Sequence, residues 1–199
     1  MSAALDDDAL MDLFLKSGAL LRGHFLLSSG LHSDQYFQCA LLLSDTGLAE
    51  RMGRELAGRL PAAWAPAAVV APALGGVVIG HETARAAGLR SLFSERKEGR
   101  MELRRGFTVS PGERCVVVED VVTTGKSTRE VIQLLRDLGA EPVGALAIVV
   151  RAAEAPDLGV PLLSLARLPA PSWTSLECAL CRAGLPCVKP GSRAVTSGG

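Results

Sequence analysis

A chain of 199 residues, 48% of them hydrophobic, is long enough for one packed domain with a sizeable core, with room for a small appended subdomain. Its 21 basic and 21 acidic side chains cancel to a formal charge of zero, which argues against broad binding to nucleic acid or to an anionic membrane. The five cysteines are an odd number with three crowded near the C-terminus, which argues against a disulfide framework.

At the start, Asp6, Asp7 and Asp8 stand where a basic leader would have cations, and no apolar run approaches the roughly 20 residues that span a bilayer, so a cytoplasmic protein is expected. The three acids are placed to cap and charge a helix carrying Leu10, Leu13 and Phe14, stopped by Gly18. From Gly23 to Gln38 two short strands fit around a Ser-Ser-Gly turn, with Tyr36 and Phe37 on the second; an ordinary hairpin edge has the same pattern. Asp45 is placed to cap a helix over about 46–60 whose inner face carries Leu48, Met52, Leu56 and Leu60.

Ala67 to Ala71 reads as a buried strand, followed by Pro72-Ala73-Leu74-Gly75-Gly76 and a helix from Val77 to about Ala87. Paired glycines let backbone approach a ligand closely, but they are also common in plain strand-to-helix turns; their place at a strand's carboxyl end singles these out. Leu89 to Phe93 is a further strand. Ser94 to Gly106 then carries five cations and three anions without an apolar period, as expected of a solvated, mobile basic loop or hairpin.

The chain is organised around Cys115 to Thr128. A buried strand rises to Glu119 and Asp120, gives way to the turn Thr123-Thr124-Gly125-Lys126-Ser127, and is followed by a helix with Val131, Leu134, Leu135 and Leu138 on one face. Two carboxylates beside a helix N-terminus, where free N–H groups favour phosphate, suit a phosphorylated sugar that also carries hydroxyls and metal. Val143 to Val150 is another buried strand closed by Arg151, either an anion clamp or a solvated strand end. Leu162 to Leu168 adds a last strand before a loop-rich tail. Alternating strands and helices predict an α/β fold with a doubly wound, mostly parallel sheet.

Gly125-Lys126-Ser127 does not complete a phosphate-binding P-loop, because the glycine needed five positions earlier is Asp120. No G-x-G-x-x-G follows a strand, so a dinucleotide site is excluded. Cys178 and Cys181, with Cys187 beyond, have the spacing of half a zinc site. No histidine or second pair lies near them in sequence, so buried or incidental thiols are the default. His24, His32 and His81 are scattered, with no nucleophile pattern around them.

Four hydrophobics, two acids, two hydrophobics and Thr-Thr-Gly-x-Ser, at Cys115 to Ser127, resemble the signature of the type I phosphoribosyltransferases. Gly23 to Ser33, Pro72 to Gly76, Glu95 to Phe107, Arg151, and the tail motifs Glu177 to Cys181 and Val188 to Arg193 resemble the orotate branch of that family. The resemblance implies a single domain over residues 1–199, with a hood formed by about 18–42 and the tail. It implies transfer of the phosphoribosyl group of 5-phosphoribosyl-1-diphosphate (PRPP) to orotate, giving orotidine 5-monophosphate and diphosphate. The metal it implies is Mg²⁺ carried by the diphosphate, with no direct protein ligand.

By the same resemblance, Glu119 and Asp120 hold the ribose hydroxyls. Val121, Val122, Thr123, Thr124, Gly125, Lys126 and Ser127 form the 5-phosphate loop, and Leu74, Gly75 and Gly76 face the diphosphate. Thr123, Arg151, Tyr36 and Phe37 take orotate, with Arg151 on its carboxylate. Arg96, Lys97 and Arg100 belong to a basic loop that closes over the partner subunit's site in a homodimer, and Arg100, Lys97 and Asp120 are the implied catalytic residues. The chain departs from some family members at Ser28, Gly75 and Arg100, where they carry lysine, and at Glu102, where they carry histidine. The same chemistry on a purine, and a nucleic-acid-binding regulator that keeps the donor site, remain as alternatives.

Overall fold

The computed structural model describes residues 6–27 and 29–190; Ser28 and the Ser192–Arg193 end of the tail motif lie outside them. Helix α1 (Asp7–Lys16) begins where Asp6 accepts a hydrogen bond from the Ala9 N–H at 2.8 Å, with Asp7 and Asp8 in its first turn and Lys16 in its last. Its Leu10 and Phe14 are fully buried. Strands β1 (Leu20–Leu26) and β2 (His32–Phe37) form a separate antiparallel pair, irregular between Arg22 and Phe25.

A short helix α2 (Cys39–Ser44) follows, which the sequence pattern did not announce because six residues span less than two turns. Helix α3 (Thr46–Gly58) starts at Asp45, whose carboxylate accepts from Gly47 and Leu48 N–H at 2.9 and 3.0 Å. Strand β3 (Ala68–Pro72) leads into α4 (Gly75–Ala87), which begins two residues earlier than the apolar period suggests. Then come β4 (Arg90–Lys97), β5 (Arg100–Leu103), β6 (Arg114–Val122), α5 (Lys126–Asp137), β7 (Glu141–Val150), β8 (Leu162–Arg167) and the single turn α6 (Ala179–Arg182).

Six of these strands make one sheet in the order β5-β4-β3-β6-β7-β8, parallel except at β5. Successive side chains of β6 point to opposite faces. Val116 and Val118 pack with Leu10, Phe14, Met52, Leu56 and Ile79, whereas Cys115 and Val117 pack with Val131, Ile132 and Leu135 of α5. Both faces are therefore covered, as a central strand of continuous valines requires. From β3 the chain winds outward through α4 to β4, and from β6 it winds the other way through α5 to β7. The carboxyl ends of β3 and β6 thus flank the switch point of the sheet, where ligands bind in folds of this class.

The charged segment 94–106, expected as a mobile basic loop or a hairpin, is a hairpin. Ser94 and Met101 are buried on it, and the charges around them hid that alternation. Glu98 and Gly99 both take positive φ, 48° and 85°, as the tight two-residue turn between paired Lys97 and Arg100 demands.

Phe14 meets Phe37 edge-on at 5.0 Å and so ties α1 to the β1–β2 pair. Phe14→Ala is expected to cost about 3–5 kcal/mol of unfolding free energy. Asp45→Ala, at an exposed cap, is expected to cost about 1 kcal/mol. Denaturant unfolding of both variants checks the ratio; equal losses would contradict the burial on which it rests.

Candidate active site

A cavity of about 670 Å³ opens at the switch point, within the range of small-molecule sites. One wall comes from the sheet: Pro72 to Gly75 after β3, Glu119 to Val121 at the end of β6, Thr123, Thr124 and Ser127 at the start of α5, and Arg151 after β7. The other wall is the small sheet and its neighbours, with Leu26, Tyr36, Phe37 and Gln38, and with Lys189 and Pro190 from the tail.

Glu119 is buried and Asp120 partly so, side by side on one strand end. Ser127 donates its hydroxyl hydrogen to Glu119 Oε2 at 2.9 Å, and the Val121 N–H donates to Asp120 Oδ1 at 2.8 Å. Burial raises the Glu119 carboxyl well above its ordinary range, and the neighbouring Asp120 charge adds to the effect. Burial also raises Asp120, with the hydrogen bonds from its surroundings opposing it. Two buried acids without a fixed cation are poised to accept hydroxyl hydrogens or to face positive charge.

Gly75 packs directly against that pair. A Cβ at position 75 would lie 2.8 Å from both Asp120 carboxylate oxygens, closer than side-chain carbons approach. A lysine at this position would shift Asp120 or the turn. The Ala73–Leu74 peptide beside it is cis, and Leu74 is 87% exposed at the mouth of the cavity.

Arg151 is buried at the opposite end. Its Nη2 donates to Ser33 Oγ and to the Gln35 carbonyl, each at 3.3 Å, and the guanidinium lies 5.5 Å from the Phe37 ring centre. Its Nε has no hydrogen-bond partner among the described residues. The residue lines the cavity, so an anionic acceptor there meets a guanidinium held out of water. Burial, then the Asp120 charge, raises the Tyr36 phenol, which keeps it protonated as a donor.

Of the residues singled out from the sequence, Leu74, Gly75, Glu119, Asp120, Val121, Thr123, Thr124, Ser127, Arg151, Tyr36 and Phe37 line this cavity. Gly76 packs behind it, where a Cβ would lie 3.0 Å from the Val118 carbonyl oxygen. Val122, Gly125 and Lys126 are not in the lining, and neither are Arg96, Lys97 and Arg100 of the hairpin. Arg96 instead pairs with Glu130 and donates to the Gly99 carbonyl oxygen. Sequence reasoning missed Lys189, whose position depends on the Leu26 N–H and Val188 carbonyl bond at 2.8 Å, a contact with no local signal. It also treated His24 and His32 as scattered. The fold corrects this by bringing both against Cys178 and Cys181.

The family model for the phosphoribosyl transferase domain matches residues 43–158. The orotate phosphoribosyltransferase of Carboxydothermus hydrogenoformans is 49% identical over 185 residues, covering 92% of this chain and 97% of that one. The orotate phosphoribosyltransferase of Sphingopyxis alaskensis is 47% identical over 196 residues, covering 97% and 100%. Among solved structures, that of orotate phosphoribosyltransferase from Aeropyrum pernix has a TM-score of 0.67 at 30% identity, covering 80% of this chain and 93% of that one.

The raised Glu119 carboxyl makes stability depend on pH. The folded chain holds this proton more tightly than the unfolded one, so the benefit is full in acid and is lost as pH rises through the raised folded value. Glu119→Gln keeps an acceptor for Ser127 and removes the buried charge. It is expected to raise the melting temperature by a few degrees at about pH 8 and to change it little at about pH 4. Calorimetry at the two pH values checks this, and a lower melting temperature at the higher pH would contradict it.

Proposed function

The chain belongs to the phosphoribosyltransferase family, and we propose that it transfers the 5-phosphoribosyl group of PRPP to orotate, releasing orotidine 5-monophosphate and diphosphate. The observation that carries the choice of base is Arg151, a buried guanidinium donor that lines the cavity. A carboxylate on the base satisfies that donor, and a purine has none to offer. Phe37 beneath the guanidinium and Tyr36 beside it supply the faces for a planar ring. Thr123, at the junction of the two ends, adds a hydroxyl within reach of the base.

The donor occupies the sheet wall. Glu119 and Asp120 accept hydrogen bonds from the ribose 2- and 3-hydroxyls, and their charge stabilises the ribose ring as it becomes cationic. Backbone N–H groups from Thr123 to Ser127, at the start of α5, hold the 5-phosphate. Diphosphate lies along Leu74 to Gly76. A polyanion beside two carboxylates needs a cation of its own, which supports donor entry as a Mg²⁺ complex, the metal neutralising the leaving group. Orotate is the nucleophile, so none is required of the protein.

Lys97 and Arg100 face each other across the last pair of the hairpin, both exposed. Two like charges at that position repel, and an anion between them relieves the repulsion. Since neither lines its own chain's cavity, we assign them to the diphosphate in the site of a second copy, with Arg96 beside them. Arg100 there serves as a fixed cation because guanidinium does not give up its proton, while Lys97 can pass one. No helix among the described residues is long and apolar enough to cross a membrane, and a cytoplasmic setting is part of the same reading.

Arg151→Ala is expected to raise KM for orotate by one to two orders of magnitude with PRPP binding nearly unchanged, consistent with loss of a charged hydrogen-bonded contact. The fall in orotate absorbance with Mg²⁺ and PRPP reads the first, and calorimetric titration with PRPP reads the second; equal loss of both would overturn the assignment. For the shared site, Arg100→Ala and Asp120→Asn chains, each inactive alone, are expected to recover part of the activity when mixed. No recovery after subunit exchange has been verified would count against a hairpin acting in a second copy's site.

A further inference from the structure

The tail after β8 brings together a side-chain cluster that phosphoribosyl transfer does not use. His24 from β1, His32 from β2, and Cys178 and Cys181 at the start of α6 place four ligand atoms all within 4.8 Å of one another. His24 Nε2 lies 3.5 Å from Cys178 Sγ and 3.6 Å from Cys181 Sγ, and His32 Nδ1 lies 3.3 Å from Cys181 Sγ. In a tetrahedral zinc site with bonds of about 2.3 Å to sulfur and 2.0–2.1 Å to nitrogen, the nitrogen–sulfur edges are about 3.5 Å. The two imidazole nitrogens, 2.7 Å apart, must open by several tenths of an ångström to accept an ion between them.

The outer contacts suit ligation too. His24 Nδ1 donates to the Leu185 carbonyl at 2.8 Å, which puts the proton on that nitrogen and leaves the Nε2 lone pair facing the cluster. Both histidines and Cys178 are buried. The tail also has little apolar attachment. From residue 171 to residue 190 only Cys178 is buried, so apolar burial contributes little to holding it. Backbone bonds from Val188 to His24 and Leu26, and between Trp173 and His32, set its course against β1 and β2.

We propose that His24, His32, Cys178 and Cys181 bind one structural zinc ion that clamps the C-terminal tail onto the β1–β2 pair. Four protein ligands complete the tetrahedron and leave no open position for catalysis. Binding releases the two thiol protons and leaves His32 protonated on Nε2, its Nδ1 turned to the metal. Cys187, exposed and 3.8 Å from His32 Nδ1, stands beside the set without belonging to it. Because Lys189 and Pro190 follow on the same tail segment and line the cavity, the clamp fixes part of the wall behind the base.

Elemental analysis of the full chain, purified without chelator, is expected to find about one zinc per chain. Cys115→Ala should retain the metal, Cys187→Ser should retain it, and Cys178→Ser with Cys181→Ser should lose it. After chelation, titration with Co²⁺ should give the intense visible bands of a tetrahedral thiolate site in the wild-type chain, which avoids any doubt about folding of a variant. Absence of zinc together with no such bands, or a Cys178–Cys181 disulfide in the chain kept under reducing conditions, would overturn the proposal. Zinc lost in Cys187→Ser but kept in His32→Asn would overturn this ligand set. None of these readouts depends on transfer activity.

Discussion

Everything at the active end of this molecule depends on keeping Glu119 and Asp120 together at the end of β6. Two carboxylates taken out of water repel and lose hydration, so the pair works against folding. It survives because β6 is the most thoroughly supported strand in the sheet, with β3 and β7 on its two sides and packed helices over both faces. The same requirement reaches Gly75, which must lack a side chain for Asp120 to stand where it does. It bears on the proposed donor as well: two acids already in place oppose the approach of a bare polyanion.

Much of this was legible because it is local. A strand of valines, two acids, a hydroxyl-rich turn and an amphipathic helix occupy consecutive residues, and each part has its own physical signature. Arg151 could be suspected for a similar reason, as a charge closing a buried strand, although nothing nearby announced that its partners would be Ser33 and the Gln35 carbonyl. The hairpin was half legible. Its charges obscured an alternation marked by only Ser94 and Met101, so a basic segment looked irregular when it was a continuation of β4.

The cysteine cluster shows what a linear reading loses. Cys178 and Cys181 looked like half a site because the search for partners was made along the chain, whereas His24 stands 154 residues away. The fold closes that gap by running the tail back beside β1, through the isolated pairing of Phe25 with Val188. No periodicity encodes such a return, since a strand pairing of one residue leaves no pattern. Lys189 was missed for the same cause, being carried to the cavity by the same return.

The two walls of the cavity therefore stand on different physical footings. The donor wall is part of a six-stranded sheet whose core is shared with the rest of the domain. The base wall is a two-stranded sheet, an arrangement that is marginal by itself in water. It borrows order from Phe14 against Phe37 on one side and from the tail on the other. Arg151 spans the two, standing just after β7 and bonded to β2, so displacement of the small sheet disturbs the proposed grip on the base's carboxylate first. Damage to the tail or its clamp should then weaken selection of the base while the acid pair and the phosphate turn stay intact. Cross-linking, rather than apolar burial, is the means available to so exposed a segment, because from residue 171 to residue 190 only Cys178 is buried.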